Sequence, residues 1–275
     1  MLNCADFGVP QRRKRLIVLG KRGKTAPGRP IPTNSKVTVE IAFAGLPVVK
    51  NYPTLLTSDE VTLKAADIER RANAKFLYAR QLSGIEPIPG DVGYERELRP
   101  SVVTSARRTV HTEATVERFA ETARGKAEPK SRLFRLSLES AAGTLRAGTG
   151  AERGAHTSPR PIHPTEDRVI TVREAARLHG YPDWFRFHTT NWHGHRQVGN
   201  SVPPPMARAA ATVLLDALGV AATKPDRCFL PEDEGLLSLP KSEALSRFET
   251  VAAELPRGRK RPSLDEPGPG AIEVA

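Results

Sequence analysis

Two short segments carry side chains whose types and spacing suit polar or anionic ligands. In Gly8-Val9-Pro10-Gln11-Arg12-Arg13-Lys14-Arg15, two arginines stand two residues apart, directly before the apolar run Leu16-Ile17-Val18-Leu19-Gly20. Side chains alternate along an extended chain, so Arg13 and Arg15 share one face, with the amide of Gln11 beside them. Guanidinium donors set this way match a phosphate or a base carbonyl. An ordinary basic edge strand has the same pattern. The second segment is Arg196-Gln197-Val198-Gly199-Asn200-Ser201-Val202-Pro203-Pro204. Gly199 and Asn200 permit an unusual backbone turn. Ser201 then stands at the start of a helix, where backbone N–H groups bind anions or polar ligands. A plain helix cap fits that pattern equally.

Other chemistry is disfavoured by spacing. Cys4 and Cys228 lie far apart and in no paired motif, which argues against a disulfide framework or a cysteine-rich metal centre and fits a reducing cytoplasm. His188, His193 and His195 match no zinc-ligand spacing, so they are expected to be ordinary surface histidines and no metal is expected. Glycines 148, 150 and 154 follow no strand and match no phosphate or dinucleotide loop.

The elements that must hold these segments are legible in part. Leu16–Gly20 reads as a short buried strand, because a compact apolar run suits a strand covered on both faces. Residues 21–56 are rich in Pro and Gly and read as loop, with a helix near Val37–Ala44. Residues 58–83 have helical character, with Ser58 as cap, Asp59 and Glu60 in the first turn and Gly84 as stop. Residues 84–100 are turn-rich, and residues 101–160 read as short strands and loops. Thr171-Val172-Arg173-Glu174 is a capping-box pattern; it starts a helix through His179, ended by Gly180 and Pro182, with Val172, Ala175, Ala176 and Leu178 in the core. Prolines 203–205 lead into an apolar-rich helix, Met206–Leu218, closed by Gly219. Residues 225–275, with the basic run Arg257-Gly258-Arg259-Lys260-Arg261, read as partly disordered. No apolar run is long enough for a membrane helix, and no signal peptide is visible.

The 275-residue chain carries a formal net charge of +11, and the excess is local. Residues 1–24 hold seven Lys or Arg against Asp6 alone, and residues 101–160 hold eleven against six Asp or Glu. Basic charge concentrated on particular segments points to a polyanionic partner, nucleic acid above all.

Taken in order, three segments resemble the DNA cytosine-5 methyltransferase family. Gln11-x-Arg13-x-Arg15 looks like its motif VIII, Asp167–Asp183 like motif IX, and Gly199-Asn200-Ser201-Val202 like motif X. Between VIII and IX the family places its variable target recognition domain, and Gly143-Thr144-Leu145 resembles the Thr-Leu element that ends that region. The resemblance implies an α/β fold: the C-terminal part of a Rossmann-like, S-adenosylmethionine-dependent methyltransferase with a small irregular recognition domain. Residues 1–24 would close the catalytic domain, 25–160 would recognise the target, 161–222 would return to the catalytic domain, and 223–275 would be a tail. It also implies the bacterial cytoplasm or nucleoid, with restriction–modification among the roles open to it.

In that family a cysteine attacks C6 of a cytosine flipped out of duplex DNA, and a methyl group passes from S-adenosyl-L-methionine to C5. Carried over, Arg15 would contact the cytosine, Arg13 would hold the catalytic loop and DNA backbone, and Gln11 would buttress both. Asn200, Ser201 and Val202 would border the methyl donor. Thr144 and Leu145 would lie near the major-groove recognition loops, and Arg107, Arg108, Arg132 and Arg135 are candidates for phosphate contacts.

The sequence departs from the family where chemistry is concentrated. The Phe-x-Gly-x-Gly cofactor loop, the Pro-Cys nucleophile motif and the Glu-Asn-Val motif do not occur in it. Cys4 precedes Ala5-Asp6-Phe7 just before motif VIII, and Cys228 lies in the tail, so neither is the nucleophile. The expectation is a C-terminal subunit or fragment that works with a polypeptide carrying motifs I to VII and is inactive, poorly soluble or obligately associated alone. The alternative is a non-catalytic DNA-binding or regulatory protein.

Overall fold

The computed structural model describes residues 1–23, 25–33, 35–96, 98–148, 160–226, 228–229 and 234–247. Glycines 150 and 154, the basic run 257–261 and most of the tail lie outside them. The chain divides into two compact units, Met1–Ser238 and Leu239–Ala275. The first contains helices α1 (Val39–Phe43), α2 (Ala65–Ala72), α3 (Leu77–Leu82), α4 (Glu113–Glu121), α5 (Val172–His179), α6 (Asn191–Asn200) and α7 (Pro204–Leu218). The second contains α8 (Lys241–Arg247).

Among the described residues the strands form three two-stranded pairs. β1 (Leu2–Asn3) runs antiparallel to β2 (Lys14–Arg15), with Leu2 opposite Arg15. β3 (Val61–Thr62) runs antiparallel to β5 (Val102–Val103), and β4 (Glu95–Arg96) parallel to β6 (Cys228–Phe229). No helix among the described residues is long and apolar enough to cross a membrane.

α5 lies at the centre. The capping box forms: the Thr171 side chain accepts from the Glu174 N–H, and the Glu174 carboxylate accepts from the Thr171 N–H at 2.7 Å. Gly180, at φ 81°, ends the helix in the left-handed region that suits glycine. All eight residues of α5 are buried. The apolar ones pack with Val39 and Ala42 of α1, with Leu136, Ala142 and Leu145, and with Val198 of α6. A helix buried on every side cannot leave its charges unpaired, and this one does not. Arg177 forks onto Asp183 at 2.6 Å through both Nε and a terminal nitrogen, and Arg71 reaches the same carboxylate at 2.8 Å. Arg173 donates to the carbonyls of Thr104, Pro182 and Phe185. Glu174 receives the Arg168 fork at 2.8 and 2.9 Å.

Three expectations about elements are corrected. The run Leu16–Gly20 is not a buried strand: pairing stops at Arg15, and Leu16 and Val18 are 72% and 83% exposed. Ile17 faces inward against Cys4, Phe7, Val9 and Met206, so one face of the extended segment is covered and the other, among the described residues, is not. Residues 58–83 are not one helix. Val61 and Thr62, β-branched, pair instead with β5, and Ser58 closes a turn onto Glu60. Residues 101–160 contain a real helix, α4, beside the short strands, and Phe119 anchors it among Ile162 and Val169.

Candidate functional site

Gln11 and Arg13, both fully buried, form the junction of the first unit. The Gln11 amide nitrogen lies 2.9 Å from His179 Nδ1, and its oxygen accepts from the Leu145 N–H at 3.1 Å. That orientation makes His179 Nδ1 the acceptor, which leaves the proton on Nε2, 3.2 Å from the Ser201 carbonyl. Burial, with Arg13 and Arg15 nearby, pushes the imidazole down to about 4, so it is neutral at pH 7. Arg13 donates to the carbonyls of Leu145 and Gly199, each at 2.7 Å, and to that of Ser201 at 3.3 Å. No carboxylate pairs with it among the described residues. Burial lowers its pKa, and Arg15 adds to the effect.

One glutamine and one arginine therefore tie together four distant stretches: residues 11–13, 145, 178–179 and 199–201. The role of His179 and of the Leu145 and Gly199 carbonyls carries no sequence signal, because the partners lie more than a hundred residues from Gln11 or Arg13 and the carbonyls are independent of side-chain identity.

The turn between α6 and α7 is built differently from expectation. Ser201 ends α6 rather than starting a helix: its N–H donates to the carbonyls of Gln197 and Val198, and its hydroxyl to Val198 at 2.8 Å. Pro204 and Pro205 open α7 without N–H groups, which removes the donors an anion would need there. Gly199 is required by contact. A Cβ added to it would lie 2.4 Å from the Ala147 nitrogen and 2.6 Å from Ala147 Cα, so the backbone of 146–147 crosses directly over the turn. Asn200 is exposed, Ser201 half-buried and Val202 43% exposed.

Several expected contacts are also corrected. Arg13 is internal and cannot lie along a DNA backbone. Leu145 is 6% exposed and belongs to the core, and the Thr144 hydroxyl donates to the Arg12 carbonyl at 2.8 Å. Leu145 is therefore a core residue and not a recognition contact, whereas Thr144 stays exposed beside it. Arg135 is buried, donating to the carbonyls of Phe119 and Thr122 and to Asp167 at 2.9 Å. Arg15, Arg107 and Arg108 are all half-buried and Arg132 is exposed; the Arg15 guanidinium donates to the Lys14 carbonyl at the surface. Cys4 is buried, its thiol 3.3 Å from the Met206 sulfur, and burial raises its pKa. A thiol held protonated and enclosed is a poor nucleophile. His195, expected at the surface, is 6% exposed, and burial with Arg160 nearby pushes it down to about 3. His163, Glu166 and Glu174 lie within metal-ligand distance of one another. Arg168 occupies both carboxylates, and His163 Nδ1 already accepts from two backbone N–H groups. The trio is an ion-pair cluster.

A sequence model of the family described as C-5 cytosine-specific DNA methylase matches residues 1–216. The chain is 45% identical over 270 residues to the Type II methyltransferase M.XorII of Xanthomonas oryzae pv. oryzae, which covers 98% of this chain and 61% of that protein. It is 49% identical over 69 residues, 22% of this chain and 5% of the relative, to DNA (cytosine-5)-methyltransferase 2 of Arabidopsis thaliana. A solved prophage-encoded chain from E. coli, described as a DNA modification methyltransferase, superposes with a TM-score of 0.55 at 28% identity, over 79% of this chain and 59% of that one. The chain thus spans about three-fifths of the length of its long relative, and the solved methyltransferase agrees with an α/β methyltransferase fold. It belongs to the C-5 cytosine-specific DNA methylase family.

Proposed function

We propose that this chain is the C-terminal, DNA-recognising part of a cytosine-5 DNA methyltransferase and methylates C5 of cytosine in duplex DNA only together with a segment carrying motifs I to VII. The observation that carries this reading is the half-covered extended segment behind Arg15. Its Ile17 packs against the cluster of Cys4, Phe7, Val9 and Met206, while Leu16 and Val18 are exposed on the other face. A methyltransferase sheet strand needs cover on both faces, and the missing segment would provide it. The enclosed Cys4 thiol supports the same view, since the nucleophile must then come from elsewhere.

On this reading the junction of Gln11, Arg13 and His179 is a positioning device. It fixes Arg15, the outward member of the motif, where the flipped cytosine would lie. It also fixes the turn bearing Asn200 and Val202, which are exposed and suit the rim of a site for S-adenosyl-L-methionine, the methyl donor; Ser201 supports that rim, its N–H and hydroxyl spent on α6. Residues 25–160 act as the recognition domain between residues 1–24 and 161–222. The likeness to a Type II methyltransferase supports a modification role in restriction–modification.

Methyl transfer from labelled S-adenosyl-L-methionine to mixed-sequence duplex DNA tests the proposal. The expected result is activity only when the chain is combined with the product of the upstream reading frame. Activity from the chain alone would contradict the account of the nucleophile, and no activity from an intact mixture would contradict the shared-site reading. The net charge of +11 favours a second reading, a DNA-binding protein without catalysis. It requires duplex binding with steep salt dependence and an inert mixture.

A further inference from the structure

Two residues among those described hold a left-handed backbone without being glycine: Ser105 at φ 58° and Arg132 at φ 59°. Ser105 is fully buried, and its strain is accounted for by the bonds around it, from its N–H to Asp59 and from the Arg173 N–H to its carbonyl. Arg132 is the opposite case. It is exposed at the tip of a hairpin, and its guanidinium makes no hydrogen bond or ion pair among the described residues. A non-glycine residue kept in this region at the surface is held there by the structure around it, and such positions concentrate at functional sites.

The hairpin is built as a rigid post. Arg135 and Lys126 pair at its base, and Glu128 and Leu133 pair above them. Arg135 bolts the base to the end of α4 and to Asp167. At the tip, the buried Glu128 carboxylate accepts the N–H groups of Lys130 and Ser131, at 3.1 and 2.5 Å; Arg118 lies 3.3 Å from it. The Arg132 N–H closes the turn onto the Glu128 carbonyl at 2.8 Å. A buried acid is thus spent on fixing a turn whose exposed side chains are Lys130 and Arg132, flanked by Lys126 and by Phe134, which is 44% exposed.

We infer that this hairpin, residues 126–135, is the element that contacts duplex DNA, with Arg132 and Lys130 as the contacting cations and Glu128 and Arg135 as the residues that position them. The inference rests on the proposed role of residues 25–160 in recognition and deepens it. It also separates two arginines that the sequence does not rank: Arg135 anchors and Arg132 contacts. Two cations carried on a tip of fixed backbone suit the phosphates or base edges of a groove.

The test is duplex binding by the full chain at two salt concentrations, alongside thermal unfolding, for the wild type, Arg132→Gly and Lys130→Ala. Glycine keeps the left-handed turn and removes only the cation, so its melting temperature is expected to stay the same or rise by about 2 °C. Its affinity for DNA is expected to fall about tenfold, a loss of the size seen when one specific arginine contact is removed. Lys130→Ala is expected to weaken binding by a few fold and to lower the salt slope by about 1. For Arg132→Gly, a smaller salt slope identifies a phosphate contact, and an unchanged slope with weaker preference among mixed duplexes identifies a base-edge contact; either upholds the inference. Wild-type affinity retained by both variants overturns it while leaving the proposed function standing. Failure of the wild type to bind any duplex at low salt overturns the inference together with the recognition role of residues 25–160.

Discussion

Asp183→Asn is expected to destabilise the folded chain by about 3 to 5 kcal/mol, because it removes one partner of a buried ionic cluster and leaves the others charged. Asp183 sits beneath three arginines: Arg177 at 2.6 Å, Arg71 at 2.8 Å and Arg173 at 3.8 Å. Asparagine keeps the shape but not the charge, so three buried guanidiniums would face one another across a neutral amide. Urea unfolding at pH 7 measures the effect, and a loss below about 1 kcal/mol would show that the cluster carries little of the stability. The same cluster sets an acid limit. Burial by itself would raise the Asp183 carboxyl, but Arg177 and then Arg71 outweigh it and hold it at about 2. Glu174 is likewise held at about 2 by Arg168 against the effect of burial. A carboxyl lowered in the folded state contributes stability that is present above its ordinary value near 4 and is lost as the pH falls from there towards 2. The wild type is therefore expected to lose stability steeply between pH 4 and 2, and Asp183→Asn to do so with a shallower slope.

The position of Asp183 explains why this loss would reach function. Arg71 comes from α2, within the proposed recognition segment, while Arg173 and Arg177 come from α5. The carboxylate thus joins the segment to the central helix by charge, where apolar contact from α1 already joins them by packing. The proposed hairpin is held by a separate ion pair, Arg135 to Asp167, on the approach to α5.

What was legible in the sequence follows from the range of the forces involved. The capping box at Thr171–Glu174, the glycine stop at Gly180 and the closing glycine at Gly219 are local signals, and each is realised. α6 was invisible because Asn191-Trp192-His193-Gly194-His195 is a poor helix former; the helix is maintained by packing, with Gly194 so close to Val172 that an added Cβ would lie 2.8 Å from its side chain. Leu16–Gly20 looked like a buried strand because its composition suits one, and its composition does not say whether a neighbour is at hand. At the candidate site, motif spacing identified Gln11, Arg13, Asn200 and Ser201 as residues of interest. It did not show that Gln11 and Arg13 point inward, because guanidiniums and amides suit buried carbonyls as well as ligands. The same ambiguity concealed the division between Arg135 and Arg132.

Gly199→Ala is expected to be the most damaging alanine substitution among the described glycines, because it is the one whose added Cβ meets backbone under 3.0 Å. The new Cβ would stand 2.4 Å from the Ala147 nitrogen and 2.6 Å from both Ala147 Cα and the Arg146 carbonyl carbon. All three are backbone atoms, so no side chain can turn aside to make room. Either the 145–147 stretch lifts or α6 withdraws. Lifting the stretch breaks the bonds from Arg13 to the Leu145 carbonyl and from the Leu145 N–H to Gln11, while withdrawal breaks those from Arg13 to Gly199 and Ser201. Arg13 has no carboxylate partner among the described residues, so a buried cation would be left short of acceptors. A loss of about 3 kcal/mol or more is expected. Gly143→Ala is the control: nothing lies within 4 Å of the added Cβ, and its effect should stay within about 0.5 kcal/mol. Equal effects from the two would mean that the crossing of residue 147 over the turn does not hold the junction. If the difference is as expected, its consequence for function is specific. Gly199 adjoins Asn200, on the proposed methyl-donor rim, and Arg13 stands two residues before Arg15, the proposed cytosine contact, so Gly199→Ala should disable both together. Duplex binding through the distant Arg132 hairpin should survive at any temperature at which the variant remains folded.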